Sequence, residues 1–525
     1  MLSIHSMYEL ETRSGGAAFT VVILFGLWLI LRRSPNTVTA VLGPPSPSWV
    51  YGNLEQLVLA ENYGDHEFQW QKQYGPVYRI KGCFGENRLV ISDPQALRHL
   101  LNDPSVMRPP SQSKTTRLVF GEDSVFCVEG EQHRNLRAAL SGGLSGRGVR
   151  SFLPVFTDVA NKIVHEWEML CSTGSSTRIN VGKMMHLATL EIICAAGFGF
   201  HVDTVRNPEH PLAVSHLHVL ATAFVRSKFG LLADLFIPHI PEFMLRLGLR
   251  LPLGPLSAIL NFKNATNQIM KEKARDFERG RKDHYDLLDI SRDSASKAGV
   301  TPSQVVHQIP VLLLAGQDTT DATLSWAFYW LAQNPEFQEE LRREILSGNL
   351  GGGSDHDQMP LLNALLKETL RLYPAGPLLE RWASEDFVLP LSDEIVTSTG
   401  EYLRELPICK GQFIFLAVGA YQRLEAIWGS DADEFRPSRW LAGDPCTGQA
   451  LGPYAQLLAF LGGPRVCAGW RFAILEMQVM LTELVSKFSF SLPEDSDVKA
   501  HLSAIQFPVD RGEAKGLWLT VEPVS

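Results

Sequence analysis

Cys467 stands in the run Phe460-Leu461-Gly462-Gly463-Pro464-Arg465-Val466-Cys467-Ala468-Gly469, directly ahead of an apolar-periodic stretch. That period predicts a helix over Phe472–Leu484. A thiolate is the nucleophilic and metal-binding form of cysteine, and the positive end of a helix dipole favours it. Gly463 and Gly469 let the backbone wrap closely and aim amide hydrogens at the sulfur, where side chains would obstruct. Arg465 is placed to pair with a carboxylate of a bound group. Phe460 can cover the sulfur side and keep water out. The chemistry expected here is a thiolate-held metal group; the bland alternative is a buried structural cysteine in a Gly-rich turn.

A second constellation lies upstream. Ala315-Gly316-Gln317-Asp318-Thr319-Thr320 falls inside a run, Ser303–Asn334, whose period predicts a helix. Gly, Asp and two Thr together cost helix propensity, and such a local breach marks a functional position more often than a neutral one. Asp318 and Thr319 make an acid–alcohol pair suited to moving a proton; the competing reading is a polar seam between helices. Glu368 and Arg371 share a helix face at i, i+3 in an apolar-periodic segment ended by Pro374. The spacing alone is weak, since Glu131/Arg134, Glu339/Arg342 and Glu401/Arg404 repeat it.

Taken in order, these motifs resemble the cytochrome P-450 superfamily. The Cys467 run fits F-x-x-G-x-R-x-C-x-G at every specified position, Ala315–Thr320 fits A-G-x-D-T-T, and Glu368–Arg371 fits E-x-x-R. Phe435-Arg436-Pro437-Ser438-Arg439-Trp440 fits F-x-P-x-R-W. The resemblance covers almost the whole chain and looks most like microsomal members found in fungi. It implies haem b with Cys467 as axial thiolate, a ligand that favours O–O cleavage. It implies Asp318 and Thr319 as the proton-delivering pair, a structural Glu368–Arg371–Arg439 ion network, and haem carboxylates held by His133, Arg137 and Arg381. Tyr421-Gln422-Arg423 departs from the usual Asn-Arg pair, which puts one loop contact in doubt.

The elements that must position these residues read as mainly α with a small β part, the cytochrome P-450 fold. Strands are expected at Val77–Ile80, Arg88–Ser92, Phe387–Leu389, Phe413–Leu416 and Leu517–Val521, and helices through Phe152–Leu346. A chain of 525 residues is long enough for several domains, yet no linker divides it. The expected organisation is an anchor over 1–34, a Pro-rich hinge over 35–50 and one haem-thiolate domain over 51–525. Gly15–Leu31 is uncharged and nearly all apolar, followed by Arg32 and Arg33, which predicts a single-pass anchor with the body in the cytosol, at the endoplasmic reticulum. A cleaved signal peptide is disfavoured by the acidic start and the weak site at Val38-Thr39-Ala40. Seven widely spaced cysteines without a Cys-x-x-Cys pair argue for a reducing compartment. The net charge of −9 argues against nucleic acid as a partner.

Leu231–Leu253 is strongly apolar but broken by Pro238, Pro241 and Pro252, so it is either a core loop or a greasy lid resting on the membrane. From the family's variable segments, Ala315, Ala375, Gly376, Leu378, Leu379, Ile505 and Phe507 are expected to face a lipophilic substrate, with a terpenoid favoured. The resemblance further implies NADPH electrons from an NADPH–cytochrome reductase, with cytochrome b5 as a second donor. Arg134, Arg137, Arg465 and Arg471 are candidates for the basic docking face. Two rivals stand beside the monooxygenase: a haem-thiolate isomerase or dehydratase that needs no O2, and a non-catalytic haem-binding membrane protein.

Overall fold

The stretch Ser303–Asn334 is apolar on nearly every side, and in the computed structural model it becomes the helix around which the body is built. The structure describes residues 37–524 apart from 172–175, 224–225, 250–253, 280–285, 349–355, 444–449 and 513–515. The expected anchor over Gly15–Leu31 lies outside the described residues. The helices used below are α1 Pro94–Asn102, α2 Pro110–Phe120, α3 Gly130–Ser141, α4 Leu153–Leu170, α5 Val181–Phe198 and α6 Pro211–Ala223. They continue with α7 Lys228–Phe236, α8 Glu242–Gly248, α9 Gly254–Arg279, α10 Ile309–Gln333, α11 Pro360–Leu372 and α12 Trp470–Lys487.

The expected single helix over Ser303–Asn334 divides in two. A short helix over Pro302–Val306 stops ahead of Gln308, and α10 starts beyond it with Pro310 in its first turn. Proline has no N–H to continue the ladder, so it suits a helix start and not an interior. Gln308 fills the break: its amide donates to the Asp123 carbonyl at 2.9 Å and its oxygen accepts from Val125 N at 2.8 Å. Inside α10, Thr319, Thr320 and Thr323 each donate to the carbonyl four residues back, at 2.9, 3.1 and 2.9 Å. That is how the helix absorbs residues of poor propensity. A methyl group at Gly316 would come within 3.0 Å of Ile193 Cδ1, so the glycine lets α5 lie close against α10. Among the described residues α5 is long and apolar enough to cross a membrane, but 83% of it is buried in the body, which makes it a core helix.

Strands β1 Val77–Lys81, β2 Asn87–Ile91, β3 Val106–Met107, β5 Leu378–Ala383 and β8 Phe413–Ala417 form one sheet in the order β1-β2-β8-β5-β3. Its centre is the parallel pair of β2 with β8, Arg88 opposite Phe413, which joins residues far apart in the chain. Strand β4, Thr177–Asn180, pairs antiparallel with β12, Trp518–Pro523, which in turn pairs with β9, Phe488–Ser491. The uniform helical reading of Phe152–Leu346 therefore misses a strand. A four-residue β segment has too few alternations to register in sequence, and its partner lies at the other end of the chain. Two hairpins complete the β part: β6 Phe387–Val396 with β7 Tyr402–Ile408, and β10 Val498–Leu502 with β11 Gln506–Asp510. The Pro-rich stretch is docked on the sheet: Arg79 donates to the Leu42 carbonyl at 2.8 Å, and Arg79 Nε to that of Val41 at 3.0 Å.

Glu368 is the polar centre of this half of the molecule. Its two oxygens receive Arg371 Nε and Nη2, both at 2.9 Å, Arg439 Nε at 2.9 Å, the Arg436 backbone N–H at 2.8 Å and Trp440 Nε1 at 2.9 Å. Burial alone would raise its pKa, but Arg371, the Arg436 amide and Arg439 carry it below the usual carboxylate range. Arg371 donates onward to the carbonyls of Gln422 and Glu434, both at 2.9 Å, and of Ala432. Every charge is paired, the condition under which a buried ion network holds a fold together. Gln422, at the departure from the family pattern, also takes its place. Its amide donates to the Leu370 and Arg371 carbonyls at 2.9 and 2.7 Å, and its oxygen accepts from Leu458 N at 2.8 Å.

Replacing Glu368 by Gln strands two buried guanidinium groups. Unfolding in denaturant should show a loss of about 3–5 kcal/mol. Glu401→Gln, at an exposed site of the same sequence spacing, should leave the midpoint where it was.

Candidate active site

The Cys467 loop is fixed from both sides before any side chain chemistry begins. Cys467 N donates to the Phe460 carbonyl at 2.8 Å, which closes the loop on itself. Leu461 and Gly463 take positive φ, 57° and 66°. At Gly463 a Cβ would sit 2.3 Å from the Leu101 carbonyl oxygen of α1, so no other residue fits there. At Gly469 the same test meets nothing, which corrects the expectation that the chain itself needs a glycine at that position. Phe460 is buried beside Tyr454 and Trp470, with ring centroids 6.2 and 6.5 Å away.

Helix α12 starts at Trp470, two residues earlier than its apolar period suggests, and it packs on α10. The backbone N–H groups of Gly469 and Trp470 both point at the Cys467 sulfur. Burial nonetheless pushes the Cys467 thiol up, outweighing these amides and the nearby Arg137. The amides at the helix start act in the expected direction, but burial outweighs them. A metal cation bound at such a thiol would remove its proton outright. Cys467 keeps accessible surface, so open space adjoins this residue.

Five basic side chains converge near this space from different elements. His133 and Arg137 lie one turn apart on α3, Arg465 comes from the loop, Arg381 from β5 and Arg108 from the segment after β3. Burial pushes His133 down to about 4, with Arg465, Arg137 and Arg108 adding to the effect. Burial, Arg108 and Arg465 push Arg381 down to about 10. Burial and Arg465 likewise lower Arg108. Mutual repulsion of this kind among enclosed cations marks a place built for an anion. Arg465 also donates to the Val128 carbonyl at 2.9 Å and pairs with Glu129 at 3.5 Å, so it ties the loop to the start of α3. Sequence reasoning missed Arg108 as a member of this set. Its only signal was a lone Arg between Met107 and Pro109-Pro110.

On α10, Leu312, Ala315, Gly316 and Thr319 form one stripe at i, i+3, i+4, i+7 and remain partly accessible, whereas Asp318 and Thr320 are buried. Asp318 and Thr319 therefore stand on different faces of the helix: Thr319 is partly accessible and the acid sits on the buried side. The loop before β5 meets the tip of the β10–β11 hairpin, where Gln506 N donates to the Ala375 carbonyl at 2.8 Å. Ala375, Gly376, Ile505 and Phe507 thus lie in neighbouring segments. Leu378 does not join them: it is packed in the core with Trp326, Tyr78 and Phe415. Side chains alternate across a strand, so Leu379 shares its face with Arg381 while Leu378 points the other way.

A sequence model of the cytochrome P-450 family matches residues 42–512. The chain belongs to the cytochrome P-450 family. As a member it is a haem-dependent monooxygenase that works with a redox partner on a small molecule. Among its relatives, cytochrome P-450 monooxygenase 205 of Postia placenta is 30% identical, covering 95% of each chain. Cytochrome P-450 monooxygenase claO of Ampulloclitocybe clavipes is also 30% identical, over 95% of this chain and 97% of its own length. Cytochrome P-450 monooxygenase 91 of Postia placenta is 31% identical over 93% of this chain and 95% of its own. The residues present suit a haem: a cysteine sulfur faced by two amides, and a crowd of cations suited to its two propionate carboxylates.

Arg108→Leu and Arg381→Leu should each weaken haem retention by on the order of 10-fold, the loss of one charge-assisted hydrogen bond. The rate of haem transfer to excess apomyoglobin measures this; unchanged rates in both variants would remove these arginines from the haem site.

Proposed function

We propose that Cys467 carries the haem iron of this cytochrome P-450 and that Arg108, His133, Arg137, Arg381 and Arg465 hold the two propionates. The observation behind this is the convergence of four arginines and a neutral histidine around one amide-faced cysteine. Bound there, haem supplies the oxygen chemistry: with O2, two electrons and two protons, one oxygen atom enters a C–H bond and the other leaves as water. The chain's own part is to position, exclude water and deliver protons. Thr319 belongs to the partly accessible stripe of α10, and Asp318 lies on the buried side. The pair moves protons from the interior toward the reacting oxygen. Glu368, Arg371 and Arg439 keep the loop before Cys467 in place and take no part in the chemistry.

Electrons come one at a time from an NADPH–cytochrome reductase, with cytochrome b5 as a second donor. Of the four arginines considered for docking, Arg134 and Arg471 are exposed, and Arg471 stacks on Trp470 with 4.0 Å to the ring. Arg137 and Arg465 are turned to the site, so the docking face rests on the exposed two. The substrate is lipophilic, with a terpenoid favoured, and it meets Ala315, Ala375, Gly376, Leu379, Ile505 and Phe507.

The segment Leu231–Leu253, of which residues 250–253 lie outside the described residues, is read as a membrane-facing lid. None of the residues of α7 and α8 is buried, and Phe229, Phe243, Met244 and Leu247 are exposed by 81, 69, 52 and 60%. Lys114 of α2 hangs this lid on the body, donating to the Pro238 and Ile240 carbonyls at 2.6 and 2.8 Å. An exposed apolar patch of this size is stable against a bilayer, which supports an endoplasmic reticulum location with residues 1–34 as anchor and 35–50 as connector to the catalytic domain over 51–525.

In membranes supplied with reductase and a turned-over terpenoid, Thr319→Ala should divert NADPH electrons to peroxide, with product per NADPH falling on the order of 10-fold. Asp318→Asn should slow turnover as well. Full coupling in Thr319→Ala would remove the proton route.

A further inference from the structure

Where the lid meets the β10–β11 hairpin, charged side chains gather from several elements. Arg226, two residues ahead of α7, donates from Nε to the Ser503 carbonyl at 3.1 Å. Ser503 shares the hairpin tip with Ile505, whose carbonyl accepts from Ser503 N at 3.0 Å, and Gln506 ties that tip to Ala375. Burial lowers the Arg226 guanidinium, and the charges of Glu380 and Asp234 oppose the effect, so both acids act on it. Glu380 is already matched. Arg88 of β2 pairs with it and also with Glu86, the latter at 3.0 Å, and lies 4.4 Å over the Phe413 ring. The second Glu380 oxygen accepts from Gln112 of α2 at 2.9 Å. Arg226 and Asp234 are not matched in this way: among the described residues neither has an opposite charge within 4.0 Å. Arg226 stays partly accessible and Asp234 exposed. Burial and the charge of Glu380 raise the Asp234 carboxyl to about 6, against Arg88, Arg226 and the Ser111 hydroxyl, so it is mostly ionised at neutral pH.

A head group arriving here meets a guanidinium with N–H groups left to give and a carboxylate that only accepts. A carboxylate head would be drawn to Arg226 but repelled by Asp234 and Glu380. An ammonium head would be drawn to Asp234 but repelled by Arg226 and Arg88. Either would also leave water as a charge, which costs far more than moving a neutral group. A hydroxyl is donor and acceptor at once, so it satisfies both side chains and brings no charge with it. We propose that Arg226 and Asp234 form a head-group site for the hydroxyl of a lipophilic alcohol, whose hydrocarbon body lies toward Ile505 and Ala375. The alcohol donates to the Asp234 carboxylate and accepts from a guanidinium N–H of Arg226. The site narrows the substrate class from a lipophile in general to one that already carries a hydroxyl. It rests on the proposed substrate pocket, because Ile505 and Ala375 are the members of that pocket nearest in the chain and in hydrogen bonding to Ser503. Asp234 belongs to the lid and Ser503 to the hairpin, so the two walls of the entrance share the recognition.

The test uses full-length holoprotein in membranes and four probes with one chain length: dodecanol, dodecanoic acid, dodecyltrimethylammonium and dodecane. Each is titrated below its micelle concentration, and binding is read from the change it induces in the ferric haem spectrum. The wild type should bind the alcohol about 10-fold more tightly than the other three, the worth of hydrogen bonds to charged groups at a partly accessible site. Asp234→Asn keeps the shape and removes the negative charge, so it should raise affinity for the acid about 10-fold. Arg226→Gln should raise affinity for the ammonium probe by a similar factor. Shifts in opposite directions do not arise from a general loosening of the lid, and CO-binding haem should stay at the wild-type amount in both variants. Should Arg226→Gln fail to load haem, Asp234→Asn decides alone. A wild type that prefers the acid, the ammonium or the alkane would overturn the proposal, as would an order of preference that these variants leave unchanged. If no probe alters the spectrum of a protein that still binds CO, the substrate pocket itself fails and this site with it. If the chains bind and the head groups are not distinguished, only the role of Arg226 and Asp234 falls.

Discussion

Wherever water is excluded from this protein, charge has to be balanced by neighbouring groups, and the arrangement of the body follows from where that balance is internal and where it is left open. At Glu368 it is internal. Two arginines, a backbone amide and an indole N–H satisfy the carboxylate completely, and the arginines reach on to carbonyls of the loop that leads toward Cys467. Removing any one partner would leave a buried charge exposed to its own desolvation cost. Around Cys467 the balance is left open. His133 of α3, Arg381 of β5 and Arg108 after β3 are each lowered by burial and by neighbouring arginines, Arg465 of the Cys467 loop among them. The first arrangement makes a rigid frame; the second makes that frame wait for an anionic ligand.

The two arrangements are joined mechanically. Gln422 connects the end of α11 to Leu458 N, two residues before Phe460, so the ion network and the cysteine loop move as one piece. Gly463 seats the loop against α1, and α12 carries the amides facing the sulfur while packing on α10. Through that contact the cysteine side and the Asp318–Thr319 side hold a fixed relation. α10 itself has two sides: a partly accessible stripe, and a buried polar side where His186, Asp321 and Gln317 meet.

Much of this was legible from the chain because it is local. The Cys467 loop, the Asp318–Thr319 breach in an apolar helix and the Glu368–Arg371 pair each lie within ten residues, and their geometry is set by turns and helix periods. What escaped is non-local. The strand Thr177–Asn180 exists only because Trp518–Pro523 lies beside it. Arg108 joins the cation crowd only after β3 pairs with β5. His186 comes from a different helix, α5, and no spacing in the sequence relates it to Asp318 and Asp321. Leu378 was misplaced for a local reason, the alternation of a strand whose buried face could be either one until its neighbours were known.

The assignment of Cys467 as the iron's ligand is the claim on which the remaining roles depend. It is tested most directly by the absorption spectrum of the reduced, CO-bound protein in membranes, recorded beside that of Cys467→Ala. Thiolate ligation requires a strongly red-shifted Soret band in the wild type and its loss in the variant. A wild-type band at the ordinary histidine-haem position, or a red-shifted band that survives in Cys467→Ala, would mean that another residue holds the iron.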